Sequence, residues 1–178
     1  KPKAGARGRD VEERQHRRLE ELVGKKDFQQ YVYVAERVCG ICSCGHGMGY
    51  CEAVEQVMEI EVPARARYLR TIWMEMSRVH SHLLWLGLLA DAFGFESLFY
   101  QCWRMREKIL DLFELTTGGR CIFSVNKIGG VVKDIDEEMM STILGGMDEL
   151  EQDLTAIIET FLSDYTGSCR LRVVGVLR

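Results

Sequence analysis

Proline is almost missing from this chain. Only Pro2 and Pro63 occur in 178 residues, so everything from Ala64 to Arg178 lacks the strongest helix breaker, and a mainly α fold is expected. Long apolar runs are missing too: the longest, Leu83 to Ala90, is too short to span a bilayer. Nor is there an excess of positive charge. The net charge of −4 at pH 7 removes the electrostatic case for nucleic acid or for anionic membrane surfaces. The basic stretch Lys1 to Arg9 has no apolar segment behind it, so no secretory signal is expected. An even cysteine count is lacking as well. Seven cysteines without such a signal point to reduced thiols in the cytosol, used as ligands or as small buried hydrophobes and not as a disulfide framework.

What is present is ordinary globular composition, 47% hydrophobic and 28% charged. The length suits a single domain, 1–178, that buries roughly 70% of its unfolded surface. A capping-box spacing from Asp10 to Glu13 predicts a first helix, with Leu19, Leu22 and Val23 as its apolar stripe and Gly24 as its stop. A second helical stretch, about 28–38, leads into the Gly/Cys-rich segment 39–49. A short helix follows with Cys51, Val54 and Met58 on one face, and Pro63 suits the first turn of the next.

That next helix, about 64–92, carries Leu69, Trp73, Met76, Val79, Leu83, Leu86 and Ala90 at spacings of three and four. From Val79 it is apolar nearly all round, which predicts a central position. A helix over 97–117 is ended by Gly118-Gly119, and residues 121–132 read as a loop or short hairpin. The last long helix opens at Asp134 with Glu137 as capping partner. Its Met140, Ile143, Met147, Leu150, Leu154, Ile157 and Phe161 follow a coiled-coil-like rhythm that predicts shallow packing angles. The tail 168–178 reads as a strand. The expected fold is an antiparallel helix bundle with a short hairpin around 121–132 and a strand-like C-terminal tail.

The chemistry sits in Glu36-Arg37-Val38-Cys39-Gly40-Ile41-Cys42-Ser43-Cys44-Gly45-His46. Cys39 and Cys42 are three apart, so one turn of backbone can aim both sulfurs at one ion. Arg37 and the following helix N-terminus favour thiolate over thiol, and soft thiolates suit nickel, iron, copper(I) or zinc and not magnesium or calcium. From spacing alone, zinc on Cys39, Cys42 and His46, an iron–sulfur cluster recruiting Cys44 and Cys51, other thiophilic metals, and a buried pair without metal all stay open. A thioredoxin-like pair lacks its βαβ context, and haem attachment fails because Ser43 follows the second cysteine.

The longer string Arg37-x-Cys39-Gly40-x-Cys42-x-x-x-His46 resembles the N-terminal cysteine motif of nickel–iron hydrogenase large subunits. His16-Arg17-Arg18-Leu19-Glu20 is similar to the element preceding that motif, with Arg18 where the family has glycine. Ser81-His82-Leu83-Leu84-Trp85-Leu86-Gly87 and Arg104-Met105-Arg106-Glu107 resemble segments of the membrane-bound, energy-converting hydrogenases. Asn126-Lys127-Ile128-Gly129-Gly130-Val131 resembles their Gly-Gly-Val loop, with Val132-Lys133 in place of paired arginines. These hydrogenases are similar in turn to the 49 kDa quinone-site subunit of respiratory complex I, which lacks the cysteine pair.

The resemblance implies nickel ligation by Cys39 and Cys42, both catalytic, with Cys42 bridging to iron. It implies that His46 and Arg37 stand behind the ligands, and that Glu20 holds a magnesium ion or a water near the pocket. Against these stand simpler accounts: Glu20 as a solvated glutamate on a charged helix, and His46 as ordinary helix N-terminal polarity. Cys44 and Cys51 are expected to pack, not to ligate. His80 and His82, two apart on a helix, cannot share an ion and are expected to be hydrogen-bonded core or interface residues. Glu75 with Arg78, and Arg104 and Lys108 with Glu107 and Asp111, fit helical ion pairs, and the tryptophans fit the core.

The family's second cysteine pair has no counterpart here, since Cys102, Cys121 and Cys169 are isolated, and its N-terminal strands are lacking. A middle portion of such a subunit is expected, inactive alone and prone to self-association. By resemblance its partners are an iron–sulfur small subunit, membrane ion-translocating subunits and ferredoxin or a similar electron carrier. Its place is cytoplasmic, on the inner face of the cell membrane. The alternatives are a complex-I-like subunit shaping a quinone site and, from another class, a zinc-clipped helical interaction module.

Overall fold

The computed structural model describes residues 18–172. The helix start at Asp10, the pair His16-Arg17 and the tail beyond residue 172 lie outside the described residues. Those described fall into two compact units, residues 18–71 with 122–132, and residues 72–121 with 133–172.

In the first unit, residues 18–23 are helical and stop at the expected glycine. Beyond Gly24 the N–H groups of Lys25 and Lys26 both reach Leu22 O, at 3.1 and 3.0 Å. Helix α1 (Tyr31–Ala35) runs directly into a 3-10 turn, Glu36–Val38. The cysteine loop follows, and α2 (Ser43–Met58) begins one residue after Cys42. Its buried positions, Cys44, Gly47, Cys51 and Glu55, repeat at helical spacing. The expected face of Cys51, Val54 and Met58 is therefore corrected by rotation: Met58 is 51% exposed and Glu55 only 6%. The apolar pattern misled because the face is completed by a charged residue whose partner, Arg70, lies 15 residues away.

Helix α3 (Ala64–Ala92) has the expected bounds and contributes its first two turns to this unit. The hairpin is short: β1 (Asn126–Lys127) pairs antiparallel with β2 (Gly130–Val131), Asn126 facing Val131. Gly129 turns it at φ +81°, a conformation that L side chains rarely adopt.

The second unit contains the rest of α3, then α4 (Glu96–Thr117), α5 (Glu137–Ser163) and α6 (Tyr165–Leu171). Trp73 is fully buried and donates its indole N–H to Thr116 Oγ1 at 3.2 Å. Helix α4 ends at Gly118, whose left-handed backbone (φ +81°) lets its N–H close on Glu114 O. On α5 the seam reads as expected: Ile143, Leu150 and Ile157, seven apart, are buried, and Met140, Met147, Leu154 and Phe161 are half-buried beside them. Each side chain fully buried in this way contributes roughly 1.5–3 kcal/mol.

Three expectations change in this unit. The cap of α5 is Asp136, whose carboxylate accepts from the Met139 N–H at 2.8 Å; Asp134 instead accepts from its neighbour Ile135. The tail expected as strand is helical as far as it is described, because Asp164 caps α6 by accepting from the Gly167 N–H. The second half of α3 is not enclosed: Trp85 is 63% and Leu88 52% exposed. The ion pairs are also redistributed. Glu75 and Arg78 pair as expected, but Lys108 binds Glu149 and Asp153 of α5, while Glu107, Asp111 and Glu114 gather on Arg120.

Candidate metal centre

The 3-10 turn at Glu36–Val38 leaves the chain extended at Cys39 (φ −141°), and the next residues curl back over its sulfur. The N–H groups of Ile41 and Cys42 donate to Cys39 Sγ at 3.4 and 3.5 Å, the range of hydrogen bonds to sulfur. Cys42 stands at the N-terminus of α2, and one turn on, His46 Nε2 lies 3.3 Å from Cys42 Sγ. The two sulfurs and the imidazole thus converge within 4.8 Å of one another, the one such His/Cys/Asp/Glu group among the described residues. Cys39 is half-buried and Cys42 exposed.

The sulfurs are not equivalent. A hydrogen bond from the Cys42 thiol, with those from the Cys42 and Ile41 N–H groups, holds the Cys39 pKa below its ordinary value. Cys42, although exposed, is partly desolvated where it meets its neighbours; that, then the hydrogen bond to Cys39 and the charge on it, pushes it up to about 11. Of the two, Cys39 is the more readily ionised and Cys42 is the one that holds its proton. Two soft sulfurs with one imidazole fit one side of a thiolate-rich centre of nickel and iron. They fit equally a zinc ion lacking its fourth ligand.

The structure disperses the other site residues named from sequence. Glu20 is exposed on the helical residues 18–23 and is not part of the converging group. Arg37 turns back along its own helix, donating to Tyr33 O at 2.6 Å, and the Cys39 thiolate is favoured by the N–H groups of its own loop instead. Cys44 and Cys51 are buried and packed, as expected.

Sequence reasoning missed the brace beneath this loop. Asn126, 2% exposed, donates its amide N–H to Cys44 O at 3.1 Å, fixing the first turn of α2 from a residue 82 positions away. The hairpin bearing Asn126 is itself held by a buried pair. Arg70 binds Glu55 through both guanidinium nitrogens and reaches Gly130 O and Lys127 O, while Glu55 accepts from the Gly129 N–H at 2.7 Å. The signal that could have found it is the Gly-Gly turn after Asn126, which marks a hairpin whose first residue must face some part of the fold.

The segment holding the cysteine loop is similar to hydrogenase-type large subunits. Two family models divide the chain, "Nickel-dependent hydrogenase" over residues 17–91 and "Respiratory-chain NADH dehydrogenase, 49 Kd subunit" over residues 92–178. Together the two matches run over residues 17–178, so along that length the chain is similar to the large subunits of nickel–iron hydrogenases and to the complex I 49 kDa subunit. It is 40% identical to the alpha subunit of the membrane-bound hydrogenase of Pyrococcus furiosus over 86% of its own length and 36% of that protein. To an NADH-quinone oxidoreductase component of Campylobacter jejuni it is 36% identical, over 91% of this chain and 40% of the relative. A chain of the membrane-bound sulfane sulfur reductase, an archaeal respiratory membrane complex, superposes with a TM-score of 0.83 at 26% identity, covering 88% of this chain and 42% of the other. The chain thus spans less than half the length of each. Relatives of this kind are parts of membrane-bound respiratory complexes, and no helix among the described residues is long and apolar enough to cross a membrane.

Proposed function

We propose that this chain is the portion of a nickel–iron hydrogenase large subunit that supplies one cysteine pair to the metal centre, in an enzyme interconverting protons and dihydrogen. The observation that carries the reading is the convergence of Cys39, Cys42 and His46 at the N-terminus of α2. Cys39, the more readily ionised of the two, and Cys42, after giving up its proton, would hold nickel and iron through their sulfurs. When bound, the centre supplies a soft Lewis acid that polarises dihydrogen. The chain's own part is to hold the two sulfurs at fixed spacing through the Asn126 brace and to offer a cysteine sulfur as proton acceptor. His46 steadies the Cys42 sulfur, Arg37 closes the turn before Cys39, and Glu20 would hold magnesium only in a pocket completed by other residues. An iron–sulfur small subunit would pass electrons to ferredoxin or a similar carrier, on the inner membrane face beside ion-translocating subunits.

A second reading, a complex-I-like subunit shaping a quinone site, draws on the match of residues 92–178 to the 49 kDa family. The cysteine pair favours the first. The test is metal analysis of the complex containing this chain. Nickel and iron in equal amounts support the hydrogenase reading. Absence of both with quinone reduction supports the second, and one zinc without nickel moves the assignment to a zinc-clipped module.

A further inference from the structure

The loop bearing Cys39 and Cys42 is held on both flanks by one short segment. On the near flank Ser124 donates its hydroxyl to Glu36 Oε2 at 2.6 Å, and Glu36 opens the 3-10 turn that delivers Cys39. On the far flank Asn126 donates to Cys44 O at 3.1 Å, two residues past Cys42. Ser124 and Asn126 are themselves two apart, so a single stretch of backbone sets the spacing of the two flanks. A third contact joins the flanks directly. The Glu36 side chain lies on α2 at Gly47, where an added Cβ would stand 2.7 Å from Glu36 Cγ and 2.8 Å from Oε1. Residues 36 and 47 thus touch across the whole cysteine motif, and glycine leaves the acid that space.

Neither Glu36 nor Ser124 suits a purely stabilising part. Glu36 is 1% exposed and its Oε1 has no hydrogen-bond partner among the described residues, a cost that an apolar side chain of similar size would not carry. Ser124 holds φ +47°, a left-handed backbone that residues other than glycine seldom adopt. Strain of this kind persists where the surroundings impose it, and it gathers at functional sites. What the two residues provide together is geometry. One carboxyl, bonded from Ser124 and seated on α2, fixes where the chain turns into Cys39.

We propose that Glu36 and Ser124 are positioning residues for the cysteine centre: with Gly47 they clamp the entry of the loop to its exit and set the Cys39 sulfur beside Cys42 and His46 before any metal arrives. The inference rests on those three side chains binding a metal, the part of the reading above that any thiophilic ion would satisfy. Ligands already in place lose less conformational freedom on binding, so the clamp raises affinity without touching the ion. It acts through shape and one hydrogen bond, which an amide oxygen accepts as well as a carboxyl does.

Titration of this chain with cobalt(II), followed by thiolate-to-cobalt charge-transfer absorption, tests the clamp, with thermal unfolding read on the same samples. Ser124→Ala and Glu36→Ala should each weaken cobalt binding roughly tenfold and shift the band of the bound ion. Glu36→Gln should behave as the wild type. Gly47→Ala should weaken binding too, and by less once Glu36→Ala has emptied the space that the methyl needs. Should Gly47→Ala not fold, the two other alanine variants and Glu36→Gln carry the decision. Variants that melt lower yet bind cobalt with wild-type affinity and spectrum overturn the clamp, as does an equal loss in Glu36→Gln and Glu36→Ala. A wild-type chain without a thiolate band overturns the donor set and the clamp together. An assembled complex without nickel, with the tenfold loss still seen in the chain, removes the nickel–iron reading and leaves the clamp standing.

Discussion

Arg70 grips Glu55 with two parallel hydrogen bonds, Nη1 to Oε2 at 2.9 Å and Nη2 to Oε1 at 2.7 Å, with side chains 4% and 7% exposed. The pair works as a rivet, because each partner also binds the backbone of the hairpin that holds the cysteine loop. Arg70→Met leaves a buried carboxylate and two carbonyls unpaired and should cost about 3–5 kcal/mol in urea unfolding. The double replacement Glu55→Leu, Arg70→Met should cost distinctly less. Equal costs would show that the charges do not act as a pair.

The same pair has a pH signature. Burial pushes the Glu55 carboxyl up, but hydrogen bonds from Arg70 and the Gly129 N–H, with the Arg70 charge, outweigh it, so its pKa lies below the ordinary value. A depressed carboxyl contributes stability that is fully present above the unfolded pKa of ~4.3 and is lost as pH falls through the folded value. The double variant should therefore unfold less steeply with acid below about pH 4, read by circular dichroism across an acid titration.

His80 gives a second window of the same sign at higher pH. It was expected to be hydrogen-bonded, yet its Nε2 is buried without a partner among the described residues, edge-on to Phe113. Burial, then the charge of Arg106, lowers its pKa to about 4. Between the unfolded value near 6.5 and that figure only the unfolded chain gains the proton, so stability should fall by up to ~3 kcal/mol as pH drops through this range. His80→Phe should remove that part of the slope. A slope unchanged between pH 6.5 and 4 would show that His80 is not its source.

The two cysteines should fail differently in an intact subunit. Cys42→Ser is expected to lose iron beside nickel, because a hard hydroxyl bridges soft metals poorly, while Cys39→Ser should abolish hydrogen turnover and keep some iron. Both should melt like the wild type, since the buried brace does not depend on metal. Nickel and iron content, hydrogen evolution and thermal unfolding decide it. Unchanged evolution in either refutes the ligand roles, and loss of folding in both points to structural zinc.

Self-association is the last expectation to test. A hollow of about 780 Å³ lined by Val79, Leu83, Trp85, Leu86 and Leu154 leaves apolar surface open on the second unit. Trp85→Glu with Leu88→Glu should shift this chain toward monomer in light scattering at high concentration. A wild type that is already monodisperse and monomeric would count against it.

Periodicity was a good guide wherever side chains packed on helices of their own unit. The bounds of α3 and the seam Ile143–Leu150–Ile157 were readable because their spacing is local. It failed at Glu55 and Glu36, since hydropathy places acids outside and only the distant partners Arg70 and Ser124 explain them inside. The cap at Asp136 was missed because two aspartates stood two residues apart and only backbone geometry separates them. At the candidate site the cysteine pair and His46 were legible as a motif. Asn126, which steadies them, was not, because its bond joins residues 82 positions apart.

That separation has a consequence for when the site can come into being. The loop bearing Cys39 and Cys42 leaves the ribosome long before Ser124 and Asn126, whose bonds to Glu36 and Cys44 span 88 and 82 residues. Until the hairpin arrives, the two thiols belong to a nascent chain with no fixed spacing and no preference for one metal over another. If the centre holds nickel as proposed, any apparatus that delivers it must act late, or must shield the thiols until the clasp closes.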